Sequence, residues 1–342
     1  MLKINSGRAQ WLLIFVTCLS MMITGCGEDK PQGGGGTTGG GTTGGGGGGT
    51  KFKAVAPTFD ADSAYQYVKA QLDFGPRVPN SPAHAACAEW FKQKFEAFGA
   101  KVKIQEAIIP MHDGARFAIK NVIASYKPEQ ARRIMITCHW DSRPMADKDE
   151  DPAKHNMPVP GANDGASGAG VILELARQIQ QKAPEIGVDF MLWDAEDYGA
   201  YSKDNSWCEG SRYWTKNQHV ANYRPKFGIN LDMVGAKDAR FTMDGYSIAY
   251  ARTECDKVWN IAHNLGYGVY FPLQDMGFAT LDDHKVIMDN AGIRMVELID
   301  RDLSTGSFFP YWHTTKDDLA SIDQATLKAV GQTVMEVIYR EK

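Results

Sequence analysis

The sequence predicts a single α/β domain in which a central mixed, mostly parallel β-sheet is covered by helices on both faces. Three observations carry this. Short apolar runs that read as buried strands alternate with segments of helical periodicity. About 290 residues, from Phe52 to Lys342, run without an internal linker, which fits one large domain. The polar residues gather just past the strand ends, where open α/β sheets bind ligands.

The first fifty residues stand outside that domain. Lys3 and Arg8 precede an apolar stretch from Trp11 to Ile23, too short for a comfortable membrane span, which reads as the core of a secretory signal. It ends in Ile23-Thr24-Gly25-Cys26, which resembles the lipobox of bacterial lipoproteins. Residues 1–25 are therefore expected to be a cleaved signal peptide, with Cys26 left as a lipidated N-terminus. Residues 26–50 are expected to form a flexible tether, because the tract GGGGTTGGGTTGGGGGGT has no apolar side chains with which to build a core. The expected product is an exported lipoprotein on the periplasmic side of a membrane or on the outer-membrane surface. Its membrane contact is expected through the lipid on Cys26 alone. With a formal net charge of −4 the chain has no electrostatic footprint for nucleic acid.

Within the domain, Ser81-Pro82 starts a helix, with Ser as N-cap and Pro at the first helical position. Apolar residues recur at Ala85, Ala88, Trp90, Phe91, Phe95 and Phe98 until Gly99 stops it. Strands are predicted over 102–109 and 120–126, then a short buried strand, Ile134 to Cys138, that ends at His139 and Asp141. Ala169 to Gln181 packs Val171, Leu173, Leu175 and Ala176 against the sheet as a helix. The run Val188 to Trp193 is the next strand, and it delivers Asp194, Glu196 and Asp197. FGINLDMVG, Phe227 to Gly235, is a strand with Asp232 near its end, Gly292 to Asp300 is another, and a closing helix lies within 319–339. No spacing marks a disulfide among Cys87, Cys138, Cys208 and Cys255, and Cys138 reads as a packed thiol in a strand.

Carboxylates at the ends of buried strands are costly unless a cation pairs with them. His139, Asp141, Asp164, Glu196, Asp197, Asp232, Asp282 and His313 all follow apolar runs or sit in Gly-rich loops. Singly, each is an ordinary turn, cap or hydrogen-bonding residue. Together at one sheet edge the acids would repel, and a divalent cation resolves that repulsion. His with carboxylates suits Zn²⁺, and an open catalytic site needs three protein ligands, for which Asp164, Asp197 and His313 are the best candidates. Glu196, beside a ligand, is then free to move protons.

HWDS, GANDGASG, the pair Glu196-Asp197, the Asp232 strand and the late His313 resemble the zinc aminopeptidases of the M28 type, over almost all of residues 52–342. Within that fold, FGPRVPNSP, EGSRYW, LDDH and Trp312-His313 are similar to the glutaminyl-peptide cyclotransferases of the animal type, in a bacterial version. The resemblance implies a zinc aminopeptidase-like α/β/α sandwich and one zinc held by Asp164, Asp197 and His313. It also implies Glu196 as general acid/base, Asp232 and Asp282 as further catalytic carboxylates hydrogen-bonded to each other, and Trp312 as a wall of the substrate pocket. There are two departures. Asp197 stands where Glu is usual, which would bring the metal nearer the main chain. The pocket tryptophan found just after the acid pair in the animal enzymes is missing, which leaves Trp193 or Trp207 to supply that wall.

The implied reaction converts N-terminal glutaminyl residues of peptides or proteins to pyroglutamate with release of ammonia, in a monomeric enzyme. The alternative is an M28-type dinuclear aminopeptidase, in which His139 and Asp232 complete a second zinc site, Asp164 bridges, and Glu196 serves a hydrolytic water. All the ligand types of the two-metal site are present, so both readings stand on the sequence.

Overall fold

The computed structural model describes residues 52–274 and 277–342. The expected signal peptide, the lipidated Cys26 and the tether up to residue 50 lie outside the described residues. In chain order the elements are α1 (Ala61–Leu72), α2 (Pro82–Ala97), β1 (Lys101–Pro110), β2 (Arg116–Tyr126), β3 (Arg133–His139), α3 (Ala166–Gln181) and β4 (Gly187–Trp193). Then come α4 (Glu209–Lys216), β5 (Gly228–Asp232), α5 (Gly245–Asn264), α6 (Asp283–Ala291), β6 (Met295–Ile299) and α7 (Gln324–Arg340).

One sheet has the order β1-β2-β4-β3-β5-β6. The β1/β2 and β2/β4 pairs are antiparallel, while β4/β3, β3/β5 and β5/β6 are parallel. The mixed, mostly parallel sheet expected from the sequence is therefore what forms. From β3 the chain runs through α3 to β4 on one side, then through α4 to β5 on the other side of β3. The direction of winding reverses there, and the C-terminal ends of β3, β4 and β5 open a crevice.

Strand residues alternate between two cores, as a pleated strand requires. Val188, Phe190 and Leu192 join Ile134, Ile136, Ile229 and Val296 in the larger core, under α2, α3, α5 and α7. Met191 and Trp193 join Ile123, Met135 and Met295 in the smaller one, against Trp214 of α4 and Ile287 of α6. Both faces are covered, which is why β3 and β4 read as unbroken apolar runs with every residue buried.

Helix α2 starts as the sequence predicts, with the Ser81 side chain accepting from the His84 N–H at 3.1 Å. Two strands are shorter than expected. β5 stops at Asp232 because Met233 turns into the left-handed region, φ +49°. β6 begins only at Met295 because Gly292 is the left-handed cap of α6. Cys87, Cys138, Cys208 and Cys255 are buried free thiols.

Candidate metal centre and active site

The crevice collects the acids and imidazoles. His139 ends β3, with Nε2 3.0 Å from Asp164 Oδ1 and 3.2 Å from Asp232 Oδ1. Asp164 sits in the turn that enters α3. The cap position of that helix is Gly165, and no side chain caps it, so the ordinary reading of Asp164 as an N-cap does not hold. Gly165 has φ +97°, and a Cβ there would lie 2.5 Å from the Asp141 carbonyl oxygen and 3.3 Å from His139 Cε1. Only glycine lets this turn close on the end of β3. The buried Asp317 accepts the N–H groups of Asn163 and Asp164 at 2.8 and 3.1 Å, which fixes the turn from below. After β5, Val234 N–H donates to Ser167 Oγ and Gly235 N–H to Asn163 Oδ1, tying the Asp232 loop to the same turn.

The acids after β4 divide. Asp194 does not face the crevice. His84 Nε2 lies 2.7 Å from its carboxylate, which also accepts the N–H groups of Lys120 and Ala195, so its partner is an imidazole rather than a metal. Asp141 is likewise a positioning group, since it accepts the N–H of Glu196 at 3.1 Å and of Asp197 at 3.3 Å. Glu196 and Asp197 are thereby presented to the crevice together.

His313 Nε2 lies 2.9 Å from Asp197 Oδ1 and 3.5 Å from Asp164 Oδ2. Ligand atoms of Asp164, Asp197 and His313 all fall within 4.8 Å of one another, as do those of His139, Asp164 and Asp232. Asp164 is common to both sets. Asp164 Oδ2 and Asp197 Oδ2 are buried with no hydrogen-bond partner. Burial pushes the Asp197 carboxyl up to about 8, with Arg143 and His139 pulling the other way. Burial also drives the His313 imidazole down to about 3, which keeps it neutral and able to ligate. Unpaired carboxylate oxygens and a neutral imidazole converging on one point are a donor set that fits a zinc ion.

Sequence reasoning missed the groups behind these ligands. Arg143 holds Asp147 bidentately at 2.7 and 3.0 Å and donates to the Asp197 carbonyl at 2.9 Å, with the same nitrogen 3.7 Å from Asp197 Oδ1. It therefore anchors Asp197 through the backbone carbonyl, with the guanidinium beside its carboxylate. Tyr201 Oη lies 2.6 Å from His313 Nδ1, leaving Nε2 to face the metal position. The Cys208 thiol donates to Glu196 Oε1 at 3.3 Å. These partners lie 12 to 112 residues from the groups they serve, and no local pattern marks them.

A cavity of about 230 Å³ opens onto the ligands. Asp164, Glu196, Asp197, Asp232, Asp282 and His313 all line it, and so do Trp207 and Trp312. Trp312 stacks on His313 at 3.9 Å between ring centroids, and Trp207 lies parallel to that imidazole at 6.2 Å. A Cβ on Gly199 would meet the Trp207 ring at 1.9 Å, so glycine after the acid pair makes room for this wall. Trp193 is not in the cavity. The pleat turns it to the opposite face, where it is buried against Trp214 at 5.2 Å. Of the two tryptophans considered for the missing wall, Trp207 takes it.

Asp282 is the N-cap of α6, and its side chain accepts from Asp283 N–H and, at 3.3 Å, from Asn230 Nδ2. The expected Asp232–Asp282 hydrogen bond is replaced by a charge interaction. Burial and the nearby Asp232 push the Asp282 carboxyl up to about 6, while Asp232 finds its own partner in His139.

The model of Peptidase family M28 matches residues 121–338, the span from β2 to α7. A glutaminyl cyclase structure from Bacteroides thetaiotaomicron is 49% identical, covering 84% of this chain and 100% of that one, with a TM-score of 0.82. A Zn-dependent exopeptidase structure from Parabacteroides distasonis is 48% identical over 84% of this chain and 100% of its own, with a TM-score of 0.81. An aminopeptidase of Bacillus subtilis is 24% identical over 77% of this chain, which spans about half of that relative, 54% of its length. The fold is that of the zinc aminopeptidases, as the motif order implied, and the chain belongs to peptidase family M28.

Proposed function

We propose that this chain is a zinc-dependent glutaminyl-peptide cyclotransferase that converts N-terminal glutaminyl residues of peptides to pyroglutamate and ammonia. One observation carries the reading. Carboxylates outside the Asp164–Asp197–His313 set, Glu196 and Asp282 among them, line a cavity of about 230 Å³ walled by Trp207 and Trp312. That volume is small beside ordinary ligand pockets and suits a single residue. The 49% identity to a bacterial glutaminyl cyclase supports the same reading.

When bound at Asp164, Asp197 and His313, zinc supplies polarisation of the substrate's γ-carbonyl. The chain's own residues do the rest. Trp207 and Trp312 hold the glutamine side chain folded towards its own α-amine, so the attack is intramolecular and much of the barrier is met by orientation. Glu196 takes the proton from the attacking amine as the new C–N bond forms. It returns that proton to the departing amide nitrogen, which leaves as ammonia. Burial raises its carboxyl well above the usual carboxylate range, which suits a group that must both accept and release a proton. Asp282 receives hydrogen bonds from the nitrogen side as charge moves between the two nitrogens.

The His139–Asp164–Asp232 set favours the second reading, a dinuclear aminopeptidase. Metal content separates the two. Purified protein dialysed against metal-free buffer is expected to retain one zinc per chain by elemental analysis, and two retained zincs per chain would favour the aminopeptidase.

A further inference from the structure

Beyond the single-residue cavity the surface continues into a groove of about 510 Å³ that shares Phe308 and Trp312 with it. The groove is lined by two cations, Lys148 and Arg301, and by no acid. Lys148 is exposed, with its ammonium 4.2 Å from the Tyr201 ring and 5.7 Å from the Trp312 ring. Its nitrogen makes no ion pair among the described residues. The neighbouring Asp147 is already held by Arg143. Arg301 lies 4.2 Å from the Phe308 ring and donates to the Gly306 carbonyl at 2.6 Å and to Thr280 Oγ1. Its Nε is buried and has no hydrogen-bond partner. Thr280 itself lines the inner cavity, so the Arg301 guanidinium bridges cavity and groove.

The two compartments differ in sign. The inner cavity is acidic and takes the amine end of a substrate, while the groove past Trp312 is cationic. An extended chain advances about 3.4 Å per residue, so a peptide whose first residue fills the cavity lays its second and third residues over the groove. We propose that Lys148 and Arg301 form a subsite for a carboxylate carried just after the N-terminal glutamine. That carboxylate is either an acidic side chain at the second or third position or the C-terminus of a short peptide. The proposal rests on the cyclotransferase reading and adds a substrate class to it.

The test compares amide-capped Gln-Ala-Ala, Gln-Glu-Ala, Gln-Ala-Glu and Gln-Lys-Ala, together with Gln-Ala-Ala bearing a free C-terminus. Exposed charge pairs are individually weak, so two cations together are expected to favour acidic over neutral peptides about 3- to 10-fold in kcat/KM at low salt. The difference should lie in KM and shrink as ionic strength rises. Lys148→Glu, an exposed position, should invert the acidic-to-lysine preference. The free-C-terminus arm tells whether a terminal carboxylate serves as well as a side chain. Equal kcat/KM for acidic and neutral peptides, or a preference that Lys148→Glu leaves in place, overturns the subsite. Calorimetric binding of the same peptides to Glu196→Gln protein reads the groove apart from turnover. Tighter binding of acidic peptides with none cyclised by the wild type would keep the groove and overturn the chemistry. Equal binding of all of them would overturn the groove.

Discussion

Replacing Glu196 by Gln is expected to lower kcat on N-terminal glutaminyl peptides by about 10²–10⁴-fold, the usual worth of a general acid–base group. Zinc content and fold should not change. Glu196 is not in the Asp164–Asp197–His313 set, and its backbone is held from behind by Asp141. Its Oε1 takes the Cys208 thiol hydrogen bond, which a Gln carbonyl can accept equally well. The variant therefore keeps the shape of the pocket and loses only the ability to carry a proton from one nitrogen to the other. Steady-state kinetics, metal analysis and circular dichroism on the one preparation check this. If the variant lost its zinc, Glu196 would be a ligand and the role given to Asp197 would be wrong.

The second large effect separates the two enzyme classes. Asp282→Asn should cut glutaminyl cyclisation severely, by a similar factor, with zinc and melting temperature close to wild type. Asn is the right replacement because Asp282 also caps α6, and Asn caps a helix about as well as Asp. Asp282→Ala adds the loss of the cap, about 1 kcal/mol. His139→Ala should behave the other way round. His139 pairs with Asp164 and Asp232, both buried or nearly so, and deleting it strands two carboxylates at a cost of about 1–3 kcal/mol in stability. Cyclisation should survive better than in Asp282→Asn, because His139 touches neither reacting nitrogen. Near-normal turnover by a folded, zinc-loaded Asp282→Asn protein would remove Asp282 from the mechanism. Zinc loss from His139→Ala would restore the two-metal aminopeptidase to first place.

Much of this was legible along the chain, and the reasons are physical. A parallel sheet covered on both faces makes each strand an apolar run, so the strands around Ile136, Phe190 and Ile229 announce themselves. The acid or imidazole that ends such a run must then be functional, capped or paired. Helices with mixed or small buried faces announced nothing. The buried positions of α1 are Ala64, Val68 and Gln71, and those of α5 include Ser247, Glu254 and Cys255. The side a tryptophan faces was equally hidden. Trp193 follows Leu192 by one residue, and strand parity alone sends it to the core under α4 and α6. The sequence left Asp194 without a partner because that partner, His84, lies 110 residues upstream. Tyr201 and Arg143 escaped for the same reason, since a hydrogen bond to a metal ligand leaves no periodicity.

The central claim is that the cavity closes a ring instead of cutting a chain. An amide-capped peptide with glutamine at its N-terminus, incubated with zinc-loaded protein, distinguishes the two by its products. Cyclisation predicts a peptide lighter by one ammonia, resistant to further N-terminal digestion, with ammonia released in equal amount and no free amino acid. Free glutamine together with a peptide shortened by one residue would contradict the account.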